Sequence, residues 1–167
     1  MKIINSITDL RAELLNINST IGFVPTMCAL HKGHLSLIEK SKTENKLTIC
    51  SVFVNKEQFN NSEDFNKYPI NTDSDIKLLE RNGCDILFLP TSDEIYSEKP
   101  IIKFDFGHLE TTMEGAFRPG HFSGVALIVS KLFNIVNPNK AYFGQKDFQQ
   151  LAIIKQLVKD LSFNIGI

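Results

Sequence analysis

Two imidazoles three positions apart mark the most informative stretch of this 167-residue chain, Phe23-Val-Pro-Thr-Met-Cys-Ala-Leu-His31-Lys-Gly33-His34. An apolar run leads into a loop, and the loop into the first turn of a predicted helix. Unpaired N–H groups and positive potential favour anions at such a helix start. Imidazoles there can donate to phosphate oxygens, and Gly33 lets the backbone come close to a bulky polyphosphate. Phosphoryl-type transfer asks a protein mainly for placement and for neutralisation of oxygen charge in the transition state. A His-x-x-His pair also occurs exposed on a helix or on a metal, but no third Cys, Asp or Glu ligand is suggestively spaced nearby.

Three further stretches carry polar chemistry at the ends of apolar runs. In Tyr142-Phe-Gly144-Gln-Lys146-Asp147-Phe-Gln149-Gln150, Lys146 is a point charge that can reach phosphate. Gly144 allows close backbone approach. Asp147 is placed either to cap a helix or to accept from ribose hydroxyls, and at most one of Gln149 and Gln150 can face a site. In Ser51-Val-Phe-Val-Asn55-Lys-Glu-Gln58-Phe59, Asn55 and Gln58 are neutral amides suited to holding a carboxylate or hydroxyl substrate. Taken alone, that stretch is an ordinary exit from a strand. In Arg118-Pro-Gly-His121-Phe-Ser-Gly124, Arg118 either binds an anion or orders a loop. His108 and the Lys/Glu pairs between Lys40 and Lys46 read as solvated surface.

The elements that must carry these residues alternate in type. Ser6 caps a helix to about Asn16, with Asp9 as its capping-box partner. A strand over 21–25 precedes the His-bearing loop and a helix over 33–42. Leu47 to Val54 is apolar enough for a strand buried on both faces. Thr72 with Asp75 opens a helix ending near Gly83, and 85–89 is a strand. Residues 101–105 read as a short edge strand. A helix over 121–136 ends at Pro138, followed by a strand over 141–143, a helix over 147–160 and the start of a strand over 163–167. Strand–helix alternation predicts an α/β fold, a doubly wound parallel sheet. Ligands bind such sheets outside the carboxyl ends of the strands, where strand order reverses.

Composition bounds the function. Eighteen Lys and Arg against nineteen Asp and Glu leave a formal net charge of -1 with 43% hydrophobic residues, an ordinary globular balance. That excludes a bulk electrostatic footprint for nucleic acid or anionic membrane. No apolar run reaches the roughly 18 residues needed to span a bilayer, and the N-terminus lacks a signal-peptide core. Three scattered cysteines, Cys28, Cys50 and Cys84, favour a reduced, cytoplasmic chain, with Cys50 and Cys84 as strand-associated packing.

In this order and spacing, PTMCALHKGH, SVFVNKEQF, RPGHFSGV and YFGQKDFQQL resemble the pantothenate synthetase (pantoate–β-alanine ligase) family over nearly the whole chain. The resemblance implies a Rossmann-like, HxGH nucleotidyltransferase-type domain and a two-step reaction. Pantoate is adenylated by ATP with release of pyrophosphate, and β-alanine then displaces AMP to give pantothenate. Mg2+ accompanies the ATP. By the same resemblance Pro25, Thr26, Met27, His31, Gly33 and His34 would line the ATP site, His31 and His34 stabilising the pentacovalent phosphorus with His34 as proton donor. Gly144 and Asp147 would meet the ribose and Lys146 the phosphates. Gln58 and Gln150 would hold pantoate, Gln58 also being linked to β-alanine, with Asn55 supporting the pocket. No metal ligand among the residues is implied, and the family's homodimer is.

This sequence departs from the family pattern at several positions. Cys28 stands where glycine is usual, Lys56 where proline follows the asparagine, and Ile70 where arginine follows Tyr-Pro. If residue 28 needs positive φ, cysteine there costs about 1 kcal/mol. The expected organisation is a single nucleotide-binding domain over 1–167, ending before the family's C-terminal lid. That predicts ATP and pantoate binding with reduced or absent turnover. Two other outcomes remain open: a nucleotidyltransferase with a phosphorylated acceptor, which would want cations at Gln58 and Gln150, and a non-catalytic nucleotide-binding or dimerisation module.

Overall fold

Alternation of apolar side chains along each strand sends one set to either side of a sheet, and the sheet therefore needs cover on both faces. The computed structural model, which describes residues 1–167 apart from the side chain of Ser62, satisfies that need with three layers. In chain order the elements are β1 (Lys2–Ile4), α1 (Ile7–Leu14), β2 (Ile21–Thr26), α2 (Lys32–Glu44), β3 (Leu47–Val52), a 3-10 turn (Lys56–Gln58) and α3 (Ser62–Asn66). There follow α4 (Thr72–Arg81), β4 (Ile86–Phe88), α5 (Ser92–Ile95), 3-10 turns at Gly107–Leu109 and Met113–Phe117, α6 (His121–Val136), β5 (Lys140–Ala141) and α7 (Phe148–Asp160).

The sheet has the order β1-β4-β3-β2-β5, and every pairing is parallel. Ile21, Phe23, Ile49, Ile86 and Phe88 face a core completed by α1, α6 and α7. Val24, Cys50, Val52 and Leu87 face a second core with Ile38 of α2 and Leu79 of α4. Cys50 and Cys84 are buried packing residues, as their positions predict.

From β2 the chain moves outward through β3 to β4, then returns across the sheet to lay β5 on the opposite flank of β2. Strand order therefore reverses between β2 and β5. There the hydrogen-bond ladder is short, since β5 pairs only with Gly22 and Phe23. The Ile21 and Phe23 carbonyls accept from Asn139 and Tyr142, so odd-numbered residues of β2 turn their polar groups towards β5. Pro25 continues that series beyond the end of β5, where its missing N–H costs no ladder bond. The two strands diverge from this point, leaving a crevice at their carboxyl ends. Tyr142 ties the end of β5 to the C-terminal end of α2: its hydroxyl accepts from Asn45 Nδ2 at 2.6 Å and donates to Glu44 at 2.9 Å.

Several local expectations are corrected. Residues 101–105 form no strand, and the final segment contributes only an isolated bridge between Lys140 and Gly166. β1 is an edge strand paired with β4, too short for periodicity to reveal. Ser6 does cap α1, but Asp9 accepts from the Ser6 hydroxyl rather than from its backbone N–H. Asn71 rather than Thr72 caps α4, which releases Asp75 for a different task.

Candidate functional site

The loop leaving β2 delivers His31 to the N-cap of α2, and the two imidazoles form a reciprocal cap. His31 Nδ1 accepts the Gly33 N–H at 3.1 Å, while His34 Nδ1 accepts the His31 N–H at 3.3 Å. Their ring centroids lie 4.2 Å apart. With both Nδ1 atoms accepting, each neutral ring carries its proton on Nε2, the donor left for a ligand. Gly33 has a direct structural reason: a Cβ there would stand 2.9 Å from His31 Cε1, so only glycine lets that ring fold back onto the helix end. Burial, and then the positive charge that His31 can carry, lower the His34 pKa, against the opposing influence of Asp75 and Asp147.

The exit from β3 supplies the opposite wall. Asn55 is buried and fully occupied: its Oδ1 accepts from the Tyr96 hydroxyl and the Glu57 N–H, and its Nδ2 donates to the Gly124 carbonyl and Gln58 Oε1. Gln58 Nε2 donates to Met27 Sδ, tying this turn to the loop after β2. Beneath it, His121 at the start of α6 donates from Nδ1 to the Gln58 carbonyl at 2.8 Å. Burial lowers the His121 pKa, which suits a neutral ring holding one carbonyl.

From the third side comes the loop after β5. Asp147 occupies the N-cap position of α7 but makes no side-chain cap bond, leaving its carboxylate available to a ligand. Gln149 is buried and bonded to the 109–115 segment, whereas Gln150 faces inward, as their helical directions require. At Gly144 a side chain would meet nothing within 4 Å. Lys146 is exposed and lies outside the cavity lining, next to Asp147, which lines it.

These walls enclose a cavity of about 260 Å³ at the β2/β5 divergence. Pro25, Thr26, Met27, His31 and His34 line one side, Asn55 and Gln58 another, and Asp147 and Gln150 a third. Gly33, Gly144 and Lys146 are not part of the lining. The floor is apolar, from Phe53, Phe143 and Val125, Ile128, Val129 and Leu132 of α6. Tyr68 also lines it; sequence reasoning passed over this residue because its position depends on the fold of the 59–68 segment, where Phe59 packs edge-on against it. Among the described residues no group of three or more His, Cys, Asp or Glu side chains could hold a metal ion. Arg118 pairs with Glu114 on the surface, the loop-ordering alternative.

A family model described as pantoate-beta-alanine ligase matches residues 2–167. The chain belongs to the pantoate–β-alanine ligase family. It is 58% identical over 167 residues to a pantothenate synthetase of Cytophaga hutchinsonii, covering 98% of this chain and 59% of that protein. A Bacteroides fragilis pantothenate synthetase is 52% identical over 170 residues, covering 100% and 60%. Among solved structures, pantoate-beta-alanine ligase from Francisella tularensis, complexed with beta-gamma ATP and beta-alanine, superposes with a TM-score of 0.97 at 43% identity. That match covers 100% of this chain and 65% of the other. Pantothenate synthetase from Thermus thermophilus gives 0.94 at 44% identity, covering 99% and 60%. The chain thus spans about three fifths of the length of the curated relatives it matches.

Against the pattern of the pantoate–β-alanine ligase family, the departures in this chain acquire physical outcomes. Cys28 does not adopt positive φ; the left-handed residue is its neighbour Ala29, at φ 54°. Cysteine at 28 therefore carries no left-handed strain, and its buried side chain hydrogen-bonds to Asp75. Ile70 is 64% exposed and away from the cavity lining. Lys56, where this family usually has proline, begins the 3-10 turn that Asn55 caps.

Proposed function

We propose that this chain is the nucleotide-binding domain of an ATP-dependent ligase that condenses pantoate with β-alanine. The observation that carries this is one cavity, at the reversal of strand order, bordered by the paired imidazoles and the amides of Gln58 and Gln150. In the first step a pantoate carboxylate oxygen attacks the α-phosphorus of ATP. The bond from α-phosphorus to the bridging oxygen breaks, and pyrophosphate leaves. Nε2–H groups of His31 and His34 donate to the α-phosphate oxygens as charge builds on them, with His34 as proton donor. Lys146 approaches the phosphates from the rim, Gly144 and Asp147 meet the ribose, and Pro25, Thr26, Met27 and Gly33 complete the nucleotide cradle.

Gln58 and Gln150 hold the hydroxyl and carboxylate groups of pantoate over the apolar floor, Gln58 being fixed from behind by Asn55. In the second step the neutral amine of β-alanine attacks the acyl carbon of the adenylate. The acyl–oxygen bond to AMP breaks and the amine loses its proton. Mg2+ arrives coordinated to the ATP phosphates, as part of that substrate. By family resemblance we extend to this protein a homodimeric state and a cytoplasmic site, the latter in keeping with three free, buried cysteines. Because the relatives are longer, residues 1–167 by themselves are expected to bind ATP and pantoate with little or no ligation.

Pyrophosphate release tests the assignment. With the enzyme at the full length of its relatives, pantoate and ATP should release pyrophosphate, while phosphorylated acceptors should not. The reverse preference would make the protein a nucleotidyltransferase. Absence of ATP binding at millimolar concentration, with self-association retained, would make it a non-catalytic module.

A further inference from the structure

We propose that Asp75 is a positioning residue for the two imidazoles, acting by clamping the Cys28–Leu30 turn on which His31 is mounted. Asp75 sits in the first turn of α4 yet does not cap it, that task falling to Asn71. It is 2% exposed, and its carboxylate reaches across to the loop leaving β2. Oδ1 accepts the Leu30 N–H at 2.8 Å, and Oδ2 accepts the Ala29 N–H at 2.9 Å and the Cys28 thiol at 3.0 Å.

Three donors converging on one buried carboxylate form a short, directional knot. It holds a conformation the chain would otherwise resist. Ala29 is left-handed, and alanine stays there only where its surroundings impose it. The next residue after anchored Leu30 is His31, whose N–H belongs to the reciprocal cap with His34. Movement of the Leu30 amide therefore passes through one peptide unit to both rings. Cys28 adds a link: its sulfur also accepts from the N–H of Asn71, joining the N-cap of α4 to the turn. Burial and the Asp75 carboxylate raise the Cys28 pKa, keeping the thiol protonated as a donor.

The catalytic consequence rests on the proposed adenylation, whereas the clamp itself does not. Asp75→Asn, of nearly equal volume, turns an N–H₂ towards donors that need an acceptor. Two readouts apply to the folded variant, its fold being checked by circular dichroism. One is the titration midpoint of His34 followed by NMR. His31, Asp75 and Asp147 are the charged or titratable groups acting on that ring. Loss of the Asp75 charge with the turn unmoved would lower the midpoint. A released turn admits water to the ring and raises the midpoint towards the ordinary histidine value, which is the expected result. The other readout is single-turnover adenylate formation, expected to fall by roughly 100-fold from misplacement of the rings, with ATP affinity changed less than about 3-fold.

A lowered midpoint in folded Asp75→Asn, or a wild-type adenylation rate, overturns the proposal. If the unmodified enzyme makes no adenylate from pantoate and ATP, the functional assignment fails instead, and the His34 midpoint alone decides the clamp. Should Asp75→Asn not fold, Cys28→Ala carries the same test with a smaller rise expected, and an unchanged midpoint there overturns the proposal.

Discussion

His34 and Lys146 both address phosphate in the proposed mechanism, but at different moments, and mutation separates them. His34 lines the cavity beside His31, where its Nε2–H matters most as charge develops on the α-phosphate. His34→Ala in the full-length enzyme should lower adenylate formation by about 100- to 1000-fold, as for loss of an oxyanion-type donor, with little change in ATP affinity. Lys146, exposed at the rim, should act on the ground state as well, so Lys146→Ala should mainly raise the dissociation constant for ATP in calorimetry. Acid stability belongs to His34 and His121. Both have pKa values lowered in the folded state, first by burial. Between those lowered values and about 6.5 the unfolded chain binds more protons, so stability rises with pH there and falls on acidification. Melting temperature followed from pH 7 to pH 5 should decline for this reason, and His121→Asn should flatten part of the decline. A profile unaffected by that substitution would remove His121 from the account.

Among the elements, α6 does more than cover the sheet. Its N-terminal turn approaches the 3-10 turn so closely that a Cβ at Gly124 would lie 2.2 Å from the Glu57 carbonyl oxygen and 2.7 Å from Gln58 Cα. The Gly124 carbonyl meanwhile accepts from Asn55. Gly124, the second glycine of RPGHFSGV, therefore sets the position of Gln58 through packing, without itself bordering the cavity. Gly124→Ala should destabilise the fold by about 1–3 kcal/mol through overpacking and displace Gln58. Thermal melting measures the first effect. The Michaelis constant for pantoate measures the second and should rise, whereas ATP affinity should hold. Equal weakening for both substrates would point to general loosening rather than a displaced amide.

In the molecule as a whole, one reversal of strand order gathers loops from β2, β3 and β5 around a single opening, with α6 as its floor. Phe133 anchors that floor: it is 1% exposed and meets Phe143 and Phe163 edge-on. These contacts join α6 to the segments flanking β5 and α7. Phe133→Ala should cost about 3–5 kcal/mol, seen as a lower urea midpoint with a similar transition slope. A cost below about 1 kcal/mol would mean the site collapses around the lost ring.

The alternation of the main strands and helices and the parallel α/β architecture follow from sequence, because apolar periodicity and turn chemistry act over a few neighbouring residues, while the family resemblance singled out the His, Asn, Gln and Asp residues that border the cavity. The helical directions of Gln149 and Gln150 show how far such local geometry reaches. Tertiary structure decided which strand lies beside β2, why residues 101–105 stay unpaired, and what Asp75 binds. An aspartate three positions after a threonine is a good local cap, and nothing within that window indicates that a loop some 45 residues away in sequence offers it better donors. The same holds for Tyr96 and His121, whose work on Asn55 and Gln58 crosses layers of the fold. Local interactions select each element, while the burial of two sheet faces at once determines which distant polar groups must satisfy one another.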